Sequence, residues 1–106
     1  MQQDTPAPSS TICEDWSRLL PGFKLTHTVH LVSTMNLGVV STAAAALESE
    51  KVAVDLWAVT RCGDNLEQKI VFGEVTERRA VQLRELLAGL NGVLRARMEH
   101  HFVRAG

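Results

Sequence analysis

The stretch STMNLGVVS, residues 33 to 41, places a lone glycine where two-residue alternation gives way to helical periodicity. The amides of Gly38, Val39 and Val40 then fall at a helix N-terminus, where the first N–H groups have no intrahelical acceptor and the dipole is positive. Such a terminus suits a carboxylate. Gly38 has no Cβ, so a ligand can come close to the backbone, and Asn36 adds a side-chain amide two residues earlier. The competing reading is a β–α turn whose glycine serves conformation alone. The candidate ligand-binding residues are therefore Asn36, Leu37, Gly38, Val39 and Val40.

Two further places carry reactive residue types. By alternation, His27 and His100 lie on the helix-facing side of two strands expected to be antiparallel neighbours, so their imidazoles could converge on a metal. No acidic or cysteine third ligand stands in view. Two histidines filling the semi-polar edge of the core is the favoured reading, and no metal or other cofactor is expected. His30 and His101 point to the other side. Cys62 lies in a hairpin turn beside Arg61, a neighbour that lowers a thiol pKa, yet it has no base partner. There is no GxSxG elbow and no pair of carboxylates on one face. An enzyme is not expected.

The totals narrow the field. The chain has 106 residues, 45% of them hydrophobic and 22% charged, with a formal net charge of −1. That is one domain with no single-sign field to draw nucleic acid or an anionic membrane. No apolar run approaches the roughly 20 residues of a spanning helix. MQQDTPAPSS has neither a basic residue nor an apolar segment, so a secretory signal is not expected. Cys13 and Cys62 form no CxxC, which fits a reducing cytoplasm.

The elements that must position these residues emerge from periodicity. Residues 1–10 read as a disordered tail. Thr11 and Glu14 form a capping box that opens a short amphipathic helix over residues 11–22, with Ile12, Trp16, Leu19 and Leu20 on one stripe and Pro21-Gly22 at its end. From Phe23, Leu25, Val29 and Leu31 alternate with Thr26, Thr28 and His30, a half-buried strand to about Thr34. Val40, Ala43, Ala44 and Leu47 make a helical stripe. VAVDLWAVT (52–60) reads as a strand with Val52, Val54 and Leu56 on one face and Trp57 on its outer face. RCGDN turns it into LEQKIVFGEV (66–75). Thr76 is an N-cap candidate. Leu83, Leu86, Leu87 and Leu90 form the next stripe, Asn91-Gly92 stops it, and VLRARMEHHFV is the last strand.

Residues 23–104 thus order as βαββαβ. Two right-handed crossovers on one sheet predict an α+β, ferredoxin-like sandwich, with antiparallel strand order 4-1-3-2 and both helices on one face. RNA-recognition modules share this topology and stack bases on aromatics of the open face. Here Thr28, His30 and Val32, and Lys69, Val71 and Gly73, occupy that face, and none is aromatic. Arg95 and Arg97 read as a solvated polar stripe, so nucleic acid is not an expected partner.

The chain resembles the ACT domain, an amino-acid-binding regulatory module, over roughly residues 25–103. HLVSTMNLGVVSTAAAAL is similar to that family's first strand, glycine turn and first helix. KVAVDLWAV is similar to its second strand and EQKIVFGEV to its third. RELLAGLNGVLRARMEH resembles its ending, a leucine-rich helix and short turn leading into the last strand. Leu37 stands where the family usually has proline, and Glu48-Ser49-Glu50-Lys51 fills the bend where a glycine is usual. The layout resembles short acetolactate synthase small subunits. The resemblance implies a non-catalytic regulatory subunit with an amino-acid effector at the turn, a homodimer through an edge strand, and a catalytic subunit as partner. VAVDLWAVT, apolar on both faces and at a sheet edge, is the expected pairing surface unless covered, and the N-terminal helix, with Trp16 and Leu19, is the alternative cover for that open face within one chain.

Overall fold

The computed structural model describes residues 23–104. The elements run β1 (Phe23–Thr34), α1 (Gly38–Ser49), β2 (Val54–Cys62), β3 (Asn65–Gly73), α2 (Glu77–Ala88) and β4 (Val93–Arg104). The strands form one sheet in the order β2-β3-β1-β4, every neighbouring pair antiparallel. This is the predicted 4-1-3-2 order read from the other edge. The expected tail over 1–10 and helix over 11–22 lie outside the described residues.

Alternation puts Val29 and Leu31 of β1 on the same face as Ile70 and Phe72 of β3, and all four are fully buried. Ala43 and Leu47 of α1 and Ala80, Leu83 and Leu87 of α2 close over them in one cluster, so both helices cover that face. Small alanines at the contact let the helices lie close to the sheet. Among the described residues no helix is long and apolar enough to cross a membrane.

Several local readings are corrected. The buried stripe of α1 is Val39, Ala43 and Leu47; Val40 is half-buried and Ala44 exposed. Val39 takes the inward place because its side chain lies against Gly92, where an added Cβ would sit 2.9 Å from Val39 Cγ2. In α2 Leu86 is exposed, and the helix ends at Ala88 with Gly89 as its cap rather than at Asn91. The β2–β3 turn is only Gly63-Asp64, with Gly63 at φ +62°, where glycine is unstrained.

Strict alternation along β2 fails at a bulge. The register shifts between Val54 and Leu56, so Val54 opposes Phe72 and Trp57 opposes Ile70 on the helix-facing side. The extra residue resets the parity of everything after it. Leu56 is thereby turned to the open face, and Trp57, expected outside, packs against the core. Its indole N–H donates to Gln68 Oε1 at 3.0 Å, the partner a half-buried indole needs.

Candidate functional site

The candidate turn is built by two neighbours. Thr34 N–H, at the end of β1, donates to the Gly92 carbonyl at 2.9 Å, so the α2–β4 turn braces the β1–α1 turn. Gly92 needs its glycine twice over: its φ is +95°, and an added Cβ would meet Val39 Cγ2 at 2.9 Å and Thr34 Oγ1 at 3.3 Å. Past Thr34, Asn36 N–H donates to Thr34 O, and the chain enters α1.

The amides expected to be free are not. Gly38 N–H donates to Asn36 Oδ1 at 2.8 Å, Val39 N–H to Asn36 O at 3.0 Å, and Val40 N–H to Leu37 O at 3.0 Å. The tight turn folds back on its own carbonyls, and the Asn36 side chain caps the amide that the sequence offered to a ligand. Asn36, Leu37 and Gly38 are exposed, with Leu37 65% and Met35 40% open, whereas Val39 is buried. The structure thus brings the five residues together in a self-satisfied loop.

The histidines do converge. His27 and His100 are opposite partners in the β1–β4 ladder, and their Nδ1 atoms lie 2.8 Å apart. His27 is fully buried, and its Nε2 lies 3.0 Å from the Val75 carbonyl. Glu77, in the first turn of α2, puts Oε2 3.7 Å from His100 Nε2. Desolvation by burial holds both imidazoles below the usual histidine range, partly offset by Val75 and Glu77. A separation of 2.8 Å is a hydrogen-bond distance. Two nitrogens on a tetrahedral zinc, at about 2.0–2.1 Å from it, stand roughly 3.4 Å apart. No group of three metal-ligating side chains occurs among the described residues. The pair reads as hydrogen-bonded core.

Cys62 is corrected as well. The Glu67 carboxylate beside it raises the thiol pKa, and Arg61 turns its Nε to the Gly63 carbonyl at 3.2 Å. The thiol is thus held in its less reactive, protonated form.

No protein-family model matches the sequence, and no curated protein matches it. Solved structures are similar. The ACT domain of GTP pyrophosphokinase from Chlorobium tepidum aligns with a TM-score of 0.63 and 8% identity, over 72% of this chain and 99% of that one. The C-terminal domain of the MgtC protein from Mycobacterium tuberculosis aligns at 0.60 and 14%, over 77% and 92%. The ligand-free regulatory subunit of aspartate kinase from Thermus thermophilus aligns at 0.55 and 18%, over 82% and 64%. Identities this low establish architecture alone. The βαββαβ fold of this chain is the fold of ACT domains.

Proposed function

We propose that the chain is a non-catalytic regulatory module of the ACT type, which pairs with a second copy along β2 and takes a small amino acid at the β1–α1 turn. The observation that carries this reading is the contrast between the two sheet edges. β2 ends the sheet with nine residues whose only charges, Asp55 and Arg61, stand near its ends. Leu56 and Val59 are 48% and 43% exposed on it. β4, at the other edge, exposes Leu94, Phe102 and Val103 near its ends, but its middle carries Arg95, Arg97 and Glu99, the kind of side chain that keeps an edge from pairing.

At the turn, Asn36 Oδ1 occupies the Gly38 amide where an effector carboxylate would arrive. Binding exchanges that neutral bond for a charged one, with the Val39 and Val40 backbone behind it and the exposed Leu37 flanking it. The ACT domain and the regulatory subunit among similar structures support a regulatory role. We assign the partner as the catalytic subunit of a cytoplasmic amino-acid biosynthetic enzyme, acetolactate synthase being the type whose small subunit the sequence resembles.

The internally bonded amides favour a second reading, a dimeric interaction module without an effector. Sedimentation and thermal shift separate the two. A dimer that Leu56→Lys dissociates, and that millimolar valine, leucine, isoleucine, serine or phenylalanine stabilises, supports the first. A ligand at 100 times its Kd stabilises by about 2.7 kcal/mol, a shift on the order of 10 °C. A dimer with no shift supports the second, and a strict monomer sinks both.

A further inference from the structure

The sheet face turned away from the helices holds a cavity of about 580 Å³. Two cross-strand rows floor it. In one, Lys69 of β3 and Arg97 of β4 stand on either side of His30; in the next, Glu67 and Arg95 stand on either side of Val32. Ala58 and Thr60 of β2 extend the rows past Lys69 and Glu67. Among the described residues three permanent cations and one carboxylate line this space, and with the Glu99 carboxylate bound to Arg97 the local excess is one positive charge in a chain whose net charge is −1.

The cations are unequally occupied. Arg97 donates to Glu99 Oε2 at 2.6 Å, and Glu99 also lies 3.5 Å from His30 and 3.3 Å from His101. Lys69 and Arg95 have no ion pair or side-chain hydrogen bond among the described residues. They stand two strand spacings across and two residues along from one another, about 12 Å between backbones, with β1 between them. Side chains of that length reach the space above Val32 and His30 from both sides. Like charges held around one concavity repel, and an anion between them removes that repulsion.

The rest of the lining says what kind of anion. Among the described residues no phenylalanine, tyrosine or tryptophan lines the cavity, so none of them offers a nucleobase a stacking surface. Val32 and Ala58 make a small aliphatic floor. We propose that this cavity binds a small, non-aromatic, multivalent oxyanion between Lys69 and Arg95, with Arg97 as third cation. This site is on the opposite side of the sheet from the helices and independent of any effector at the turn.

Calorimetric titration of the full chain with inorganic phosphate and with citrate, at constant ionic strength, tests it. Saturable binding of phosphate alone points to phosphate esters, of citrate alone to polycarboxylates, and either supports the site. Lys69→Gln and Arg95→Gln should each weaken binding about tenfold, as loss of one charge-assisted bond does. The double variant should abolish it with an unchanged circular dichroism spectrum, and Asn36→Ala should leave it intact. No saturable binding of either probe at millimolar concentration overturns the proposal. So does binding that the double variant retains.

Discussion

The Nδ1 atoms of His27 and His100 lie 2.8 Å apart, a hydrogen-bond distance, and the chain around them dictates which ring donates. The Val75 carbonyl can only accept, so His27 Nε2 carries hydrogen and His27 Nδ1 is left bare. His100 Nδ1–H is then the donor. The next proton has its place at His100 Nε2, facing Glu77 Oε2 at 3.7 Å, where it leaves the His27–His100 bond unbroken.

Stability should therefore depend on pH. Burial lowers the pKa of both histidines from 6.5, so just below that value the unfolded chain binds protons that the folded chain refuses. Stability stays level above about pH 6.5 and falls as pH drops toward the lowered folded values. Glu77 and His101 are the other titratable groups acting on His100, with opposite signs. Glu99, held low chiefly by Arg97, loses its contribution only as pH falls below its ordinary 4.5, which keeps the two effects apart. Thermal melts between about pH 7.5 and 5 should show the decline, and His27→Leu should flatten it. A melting temperature constant over that range would count against neutral buried histidines.

Lys51→Gly should stabilise the protein. Lys51 N–H bonds Glu48 O at 3.0 Å and Val52 N–H bonds Leu47 O at 3.1 Å, the two bonds of a Schellman ending. Its φ is +60°, a left-handed conformation that a side chain resists by about 1–2 kcal/mol. Glycine removes that strain and adds unfolded-chain entropy, leaving a gain of about 1 kcal/mol. A chemical denaturation midpoint that moves down instead would contradict it.

Asn36→Ala should cost about 1 kcal/mol, the usual loss when a capping side chain is removed, because Gly38 N–H then has only water. If the turn takes an effector, the same change removes the group that the carboxylate displaces. The amino-acid-induced thermal shift should then change while the dimer does not. An unaltered shift would move the effector elsewhere.

The strand order is legible in the sequence because alternation in β1 and β3 is unbroken, and Val29, Leu31, Ile70 and Phe72 fall on one face. The Thr76 cap is legible too, and its Oγ1 accepts from Arg79 N–H at 3.1 Å. The pairing of His27 with His100 comes from topology plus parity. Features that depend on one residue of register are not legible. The bulge between Val54 and Leu56 leaves no mark in VAVDLWAVT, so parity alone turns Trp57 outward. Unfilled amides at Gly38, Val39 and Val40 are what helix geometry predicts in general. Their capture by Asn36 and Leu37 depends on how tightly this turn closes, and the only hint is Asn36 standing two residues before Gly38.

Gly92→Ala should be the most damaging single change near the turn, and its cause can be divided. A residue with a side chain at φ +95° is strained by about 1–2 kcal/mol. The new Cβ would also press on Val39 Cγ2 at 2.9 Å, an overpacking cost of about 1–3 kcal/mol. Together these predict a loss of about 3 kcal/mol in denaturant unfolding. Val39→Ala alone opens a small cavity beneath α1, because Val39 is buried. In the double variant the clash has no partner, so only backbone strain and lost burial remain. The double-mutant cycle should then show the pair less destabilised than the sum of its singles. Strict additivity would mean that Gly92 is needed for its φ alone, and that α1 is not held against the α2–β4 turn through Val39.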